Sequence, residues 1–164
     1  LALDDPHTKI LDTRKTTPGM RMLEKYAVVT GGGQNHRIGL YDRIMIKDNH
    51  REMAKYAGPD SIARAVRACR AKYPRLEIEV EADSMDDVAA AADAGVEYIL
   101  LDNMSDAEMA EAIKLVRGRA RLEASGNITL ERLPRLRGMG LDYISVGALT
   151  HSAPAVDIGL DIMN

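Results

Sequence analysis

The chain has 164 residues, enough to bury a core but well short of the roughly 250 typical of a complete eight-unit (β/α) barrel. Hydrophobic residues at 46% and charged residues at 29% exclude a disordered, collagenous or membrane-spanning class, and six Tyr with no Phe or Trp leave almost no rings on which single-stranded nucleic acid could stack. The net charge of −3 hides a segregation: Lys9 to Arg51 holds nine Lys/Arg against four Asp/Glu, whereas Leu76 to Glu111 holds twelve Asp/Glu and no Lys or Arg.

Short β-branched runs recur along the chain, each followed by a polar turn and a stretch of helical spacing. Lys9–Thr13 reads as the first strand, Ala27–Thr30 as a shorter optional one, and Arg43–Lys47 as the next. His50 and Asn49 then either cap a helix over Arg51–Tyr56 or contact a ligand. Ser61–Ala71 has helical spacing and carries the single Cys69, which reads as packing because a free Cys behaves as a small hydrophobe. Met45, Met104 and Met109 read as core filling in a chain without Phe.

Leu76–Glu81, Glu97–Asp102, Arg121–Ala124 and Asp142–Val146 complete the strands, their starts 21, 24 and 21 residues apart. Ser84 and Ser105 each stand three residues before an acid, as in a capping box, and Gly95 and Gly118 fall where those helices should stop. Such alternation predicts a parallel α/β sheet, here an incomplete (β/α) barrel of six to seven strands. With no signal peptide and no long apolar run, no membrane partner is expected and the cytoplasm is the expected compartment. The opening Leu1-Ala2-Leu3-Asp4 lacks a Met, the pattern of a processed terminus or of a piece of something longer.

Ligands of parallel sheets bind at the carboxyl ends of the strands. Those ends carry Thr13, Arg14 and Lys15, then His36 and Arg37 after Gly31-Gly32-Gly33, then Lys47. The next two strands end in Glu81 and Asp102, and the last two in Ser125-Gly126-Asn127 and Ser145-Val146-Gly147-Ala148. Two readings fit. The arcs of opposite sign pair as structural salt bridges, or they grip a polyanionic ligand bearing a sugar: cations for carboxylates or phosphates, two acids for hydroxyls or Mg²⁺, and small turns whose free amides take a terminal phosphate. Gly31-Gly32-Gly33 lacks the spacing of a dinucleotide or Walker motif and reads as a flexible loop.

Read in order, Asp12-Thr13-Arg14-Lys15-Thr16-Thr17-Pro18-Gly19, Gly33-Gln34-Asn35-His36-Arg37, Ile46-Lys47-Asp48-Asn49-His50, Glu79-Val80-Glu81, Leu101-Asp102-Asn103-Met104, Glu123-Ala124-Ser125-Gly126-Asn127 and Ser145-Val146-Gly147-Ala148-Leu149-Thr150-His151 resemble the successive motifs of quinolinate phosphoribosyltransferases. The resemblance implies conversion of quinolinate and 5-phosphoribosyl-1-pyrophosphate, with Mg²⁺, to nicotinate mononucleotide, pyrophosphate and CO₂ on the de novo route to NAD. By the matching motifs Arg14, His36, Arg37 and Lys47 would line the quinolinate site with Thr13 and Lys15 beside it. Glu81 and Asp102 would face the ribose and Mg²⁺. Ser125, Gly126, Asn127, Val146, Gly147, Ala148 and His151 would take the donor's phosphate end, and Lys47, Glu81 and Asp102 would carry the catalysis.

The family also carries an amino-terminal α/β sandwich domain, which in its homodimer supplies another Arg to the partner's quinolinate site. Against that pattern, residues 1–156 are expected to form the barrel and 157–164 to resemble the strand that returns to the sandwich domain, with a homodimer or higher oligomer as the complete enzyme. The alternatives are a phosphosugar-binding barrel fragment that holds the donor without turning it over, or a related phosphoribosyltransferase using another aromatic acid.

Overall fold

The computed structural model describes residues 5–55 and 60–162. Leu1–Asp4, Tyr56 and the last two residues of the 157–164 tail lie outside the described residues. The elements follow one another as β1 (Lys9–Leu11), α1 (Arg21–Thr30), β2 (Ile44–Ile46), α2 (Asp48–Lys55), α3 (Ser61–Lys72), β3 (Ile78–Ala82), α4 (Met85–Asp93), β4 (Tyr98–Asp102), α5 (Asp106–Val116), β5 (Arg121–Ser125), α6 (Leu133–Leu136), β6 (Tyr143–Ser145) and α7 (Ala148–His151). Six parallel strands pair in the order β1-β6-β5-β4-β3-β2, a barrel sequence interrupted between β1 and β2. At that seam Gln34 alone bridges to Leu11, its amide donating to the Ile10 carbonyl at 2.8 Å while its carbonyl accepts from the Asp12 amide at 3.1 Å.

Ala27–Thr30, read from sequence as a short strand, is the last turn of α1. The helix buries Lys25 and Val28, three positions apart, and this packing overrides the β-branched preference of Val28, Val29 and Thr30. The helix expected from Arg51 begins at Asp48, so Asn49 and His50 lie within its first turn, with His50 Nδ1 accepting from the Lys47 amide at 3.0 Å. α4 and α5 start as expected: Ser84 Oγ accepts from the Asp87 amide, and Ser105 with Glu108 completes a reciprocal capping box. Their chains turn at Gly95 and Gly118, both at positive φ.

The alternation of each strand separates two environments. Ile46, Ile78, Val80, Ala82, Ile99, Leu101, Leu122, Ala124 and Ile144 face the helices and, with Val66, Val88, Met109, Val116 and Leu136, form the apolar core. Met104 and Met109 are buried there, while Met45 is only half-buried and lies against Arg37. Cys69 packs on the edge of this core, and burial raises its thiol pKa, which keeps it in the inert protonated form.

The intervening residues face the barrel interior, which is polar. Glu79 is in register with Tyr98, and Glu81, Leu100, Glu123 and Tyr143 share a row across β3 to β6. At the amino-terminal end of the strands the Arg43 guanidinium lies 3.7 Å from the Tyr98 ring centroid and that of Arg121 lies 5.1 Å away, while the Tyr98 hydroxyl donates to Glu77 at 3.0 Å. These contacts plug the barrel floor. Beyond α7 the segment from Val156 to Ile162 is exposed and forms no helix or strand. No helix among the described residues is long and apolar enough to cross a membrane.

Candidate active site

Just past β1, Asp12 and Lys25 are both buried and form an ion pair at 2.5 Å. Asp12 Oδ1 also accepts from the His36 amide at 2.8 Å, Lys25 Nζ donates to the His36 carbonyl at 3.3 Å, and the Asn35 side-chain amide donates to Asp12 Oδ2 at 2.7 Å. A desolvated charge pair holds its geometry tightly because losing either partner strands the other. It thereby clamps the glycine-rich loop to the end of β1 and brings Arg14, two residues past Asp12, near Arg37, one residue past His36.

Arg14 and Arg37 form the cationic arc, and Arg43 lies behind Arg37 toward the barrel floor. Arg37 Nη1 donates to the Arg43 carbonyl at 3.4 Å, and the Nε atoms of Arg14 and Arg37 are buried without a hydrogen-bond partner among the described residues. Burial lowers the pKa of Arg37, and the charges of Arg14 and Arg43 push the same way against Glu79 and Asp42. Arg14 and Arg37 thus hold buried donors that no described residue accepts. Lys15 is exposed beside it, and Thr13 Oγ1 lies 3.2 Å from Thr150 Oγ1, linking this arc to the loop after β6.

His36 lies deeper than a rim position suggests, only 9% exposed. Its Nδ1 accepts from the Arg37 amide at 2.6 Å, and its Nε2 sits 3.4 Å from Glu79 Oε2 and 3.3 Å from Glu123 Oε2, off the line of an ideal hydrogen bond to either. Ser145 Oγ donates to Glu123 Oε1 at 2.5 Å, and Arg43 Nη1 lies 3.5 Å from Glu79 Oε2. Burial alone would lower the pKa of His36, but Glu123 and Glu79 together raise it to about 9. The two acids diverge. Glu123 is pushed up chiefly by burial, whereas His36 and Arg43 hold Glu79 down against its own burial. Neither acid was singled out as a site residue from the sequence, although Glu79 shares a strand face with Glu81, and Glu123 with Ser125, by simple alternation.

The second arc is acidic. Lys47 Nζ pairs with Glu81, so at this one point the salt-bridge reading of the opposing arcs holds. Carboxylate oxygens of Glu81, Asp83 and Asp102 lie within 4.8 Å of one another. Asp83, missed from sequence, follows β3 and is tied to Arg51 Nη2 at 2.5 Å, while Asp102 Oδ2 accepts from the Asn103 side-chain Nδ2 at 2.9 Å. This partly exposed, oxygen-only donor set suits a hard divalent cation such as Mg²⁺.

The third arc is made of tight turns. Gly126 has a φ of +87°, and a Cβ there would collide with the side chain and backbone nitrogen of Asn103. Asn127 and Asn103 are themselves left-handed, Asn127 Nδ2 donates to Asn103 Oδ1 at 3.2 Å, and Arg132 Nη1 donates to the Gly126 carbonyl at 3.2 Å. After β6 the Val146 amide donates to the Leu11 carbonyl at 2.9 Å, Gly147 precedes α7, and the His151 ring lies close over Gly147, with Nδ1 2.8 Å from Ser152 Oγ. The strand order therefore sets the three arcs around one rim in the expected sequence: cations, acids, turns, and back to the cations through Thr13 and Thr150.

An open parallel barrel with charged groups at the carboxyl ends of its strands belongs to the class of (β/α) barrels, in which that end is where ligands bind. Within that class, a family model described as the C-terminal domain of quinolinate phosphoribosyl transferase matches residues 1–161, and the chain belongs to this family. It is 49% identical over 161 residues to the probable nicotinate-nucleotide pyrophosphorylase (carboxylating) of Bacillus subtilis, covering 98% of this chain and 54% of that protein. The corresponding protein of Mycobacterium leprae is 48% identical, with 94% of this chain and 54% of that protein covered. The crystal structure of nicotinate-nucleotide pyrophosphorylase from Ehrlichia chaffeensis superposes with a TM-score of 0.90 at 40% identity, covering 99% of this chain and 57% of that one. The chain thus spans about half the length of the curated relatives it matches.

Proposed function

We propose that this barrel is the catalytic domain of a quinolinate phosphoribosyltransferase, which transfers the phosphoribosyl group of 5-phosphoribosyl-1-pyrophosphate to quinolinate and releases pyrophosphate and CO₂. The observation that carries the reading is the pair Arg14 and Arg37, whose Nε atoms are buried without a hydrogen-bond partner among the described residues. A dicarboxylate supplies the missing negative charge and acceptors for guanidinium forks. Lys15 and Thr13 border that pocket, His36 underlies it, and Lys47 closes its acidic side.

In the transfer step the bond from the anomeric carbon to pyrophosphate breaks as the pyridine nitrogen bonds to that carbon, and positive charge accumulates on the sugar. Glu81 and Asp102 face that charge and the ribose hydroxyls, where preorganised carboxylates stabilise an oxocarbenium-like transition state without reorganisation. Mg²⁺, when bound, would be held by Glu81, Asp102 and Asp83 and would screen the pyrophosphate leaving group. The Ser125-Gly126-Asn127 and Val146-Gly147-Ala148 turns, with His151, hold the donor's phosphate through their amides and small volume. Alkylation makes the ring nitrogen cationic, so the carboxylate beside it leaves as CO₂, the electron pair left on that carbon is stabilised by the nitrogen, and a proton from solvent completes the C–H bond. Lys47 is placed to guide that carboxylate once the acceptor competes with Glu81 for its ammonium group.

Titration with the donor and Mg²⁺, followed by an assay for CO₂ release, tests the reading. Donor binding with CO₂ release is expected from the complete enzyme, and binding without release would favour a phosphosugar-binding module instead. Lys47→Ala is expected to lower turnover by more than it weakens donor affinity; unchanged turnover would remove Lys47 from the mechanism. A homodimer fits the apolar outer face of α1, where Met22, Leu23, Tyr26 and Val29 are exposed.

A further inference from the structure

The His36 cluster lies one layer below the proposed acceptor pocket and takes no part in the chemistry above. We infer that Glu79 and Glu123 are positioning residues: they seat the His36 ring from inside the barrel, and His36 in turn fixes the Arg37 amide so that its guanidinium meets the acceptor's carboxylates. The inference rests on the proposed acceptor site and adds two residues to its working parts.

Geometry carries the argument. Three elements converge on one ring, Glu79 from β3, Glu123 from β5 and the glycine-rich loop from the seam beside β1, and the two carboxylates approach the same nitrogen from either side at 3.4 and 3.3 Å. The other ring nitrogen accepts the Arg37 amide at 2.6 Å, so rotation of the ring would forfeit both sets of contacts. Glu123 is itself fixed by Ser145 at 2.5 Å, and Glu79 by Arg43 at 3.5 Å. Two fully buried acids are costly unless something is obtained for them, since an apolar pair would fill the space at less desolvation cost. Here they hold the plane of a ring that packs on the backbone of a ligand-facing residue, as outer partners do for the histidines of other sites. A metal ion at this cluster is disfavoured by the Arg43 and Arg37 charges already next to Glu79.

The test uses the complete enzyme with wild type, Glu123→Gln, Glu79→Gln and the double variant. Quinolinate affinity is expected to fall about tenfold in each single variant while donor affinity stays within about twofold, because the phosphate turns are untouched. In nitrogen-15 NMR of the wild type, His36 should show a proton on Nε2 protected from solvent exchange, and that protection should be lost in the double variant. Wild-type binding of quinolinate with no loss in either glutamine variant would overturn the inference and leave the proposed function standing; failure of the wild type to bind quinolinate would instead overturn the proposed function. If the double variant does not fold, the wild-type spectrum still decides, since an unprotected Nε2 proton sinks the seat as drawn.

Discussion

Residue by residue, the site depends on charges that are buried in pairs or left without partners. Lys25 belongs to the first kind. Lys25→Met would keep much of the side chain's bulk but strand Asp12, so a loss of about 3 to 5 kcal/mol in denaturant unfolding is expected. His36 supplies a pH dependence of definite sign. Its pKa rises from 6.5 to about 9 on folding, because Glu123 and Glu79 outweigh burial, so its ion pairs contribute stability that is full below about 6.5 and lost as pH rises through about 9. Glu79, Glu123 and Arg43 face the ring, and the Arg37 amide opposes protonation by occupying Nδ1. Unfolding free energies measured across that range should decline in the wild type and flatten in His36→Gln. At this scale the sequence showed which residues stand at strand ends, because alternation and turn residues mark those ends. It hid the layer beneath, since a buried Glu looks no different in sequence from an exposed one until its neighbours are known.

Among the elements, the strands were legible to within one to three residues, and the helices that carry their own capping signals were located well. α5 is the clearest case. Ser105→Ala removes half of its capping box and should cost about 1 kcal/mol in thermal or chemical unfolding without altering donor affinity, since the Ser105 hydroxyl bonds to Glu108 within the cap. α1 was misread at its end, where Val28, Val29 and Thr30 speak locally for a strand and only the burial of Lys25 and Val28 against the seam decides for a helix. The turn after β5 is a different sort of element. Gly126→Ala would introduce a Cβ into Asn103 at a backbone angle that L residues avoid, so donor affinity should fall by about tenfold or more, and titration of the variant with the donor checks it. Gly126 was legible as a small turn residue, but its close approach to Asn103, 23 positions earlier, was not.

The whole molecule is a barrel with a seam. β1 and β2 are three-residue strands that do not pair with each other, whereas β3, β4 and β5 are five residues long with two neighbours each. Amide exchange should therefore be slowest in β3 to β5 and fastest along β1, β2 and the Gln34 bridge; uniform protection would contradict an open edge. The repeat of strand, loop and helix pointed to an incomplete barrel, and the place of the break was not legible, because it depends on one residue of a glycine-rich loop standing in for a strand.

That seam passes through the same loop that delivers His36 and Arg37. The barrel's weakest join and the proposed acceptor pocket are thus one mechanical object: breathing of the Gln34 bridge would displace Arg37 together with the His36 ring beneath it, and occupancy of the pocket would draw the join shut. A ligand held there acts as a rivet across the opening, so its effect should be felt as stiffness along β1 and β2 rather than at the already rigid centre of the sheet.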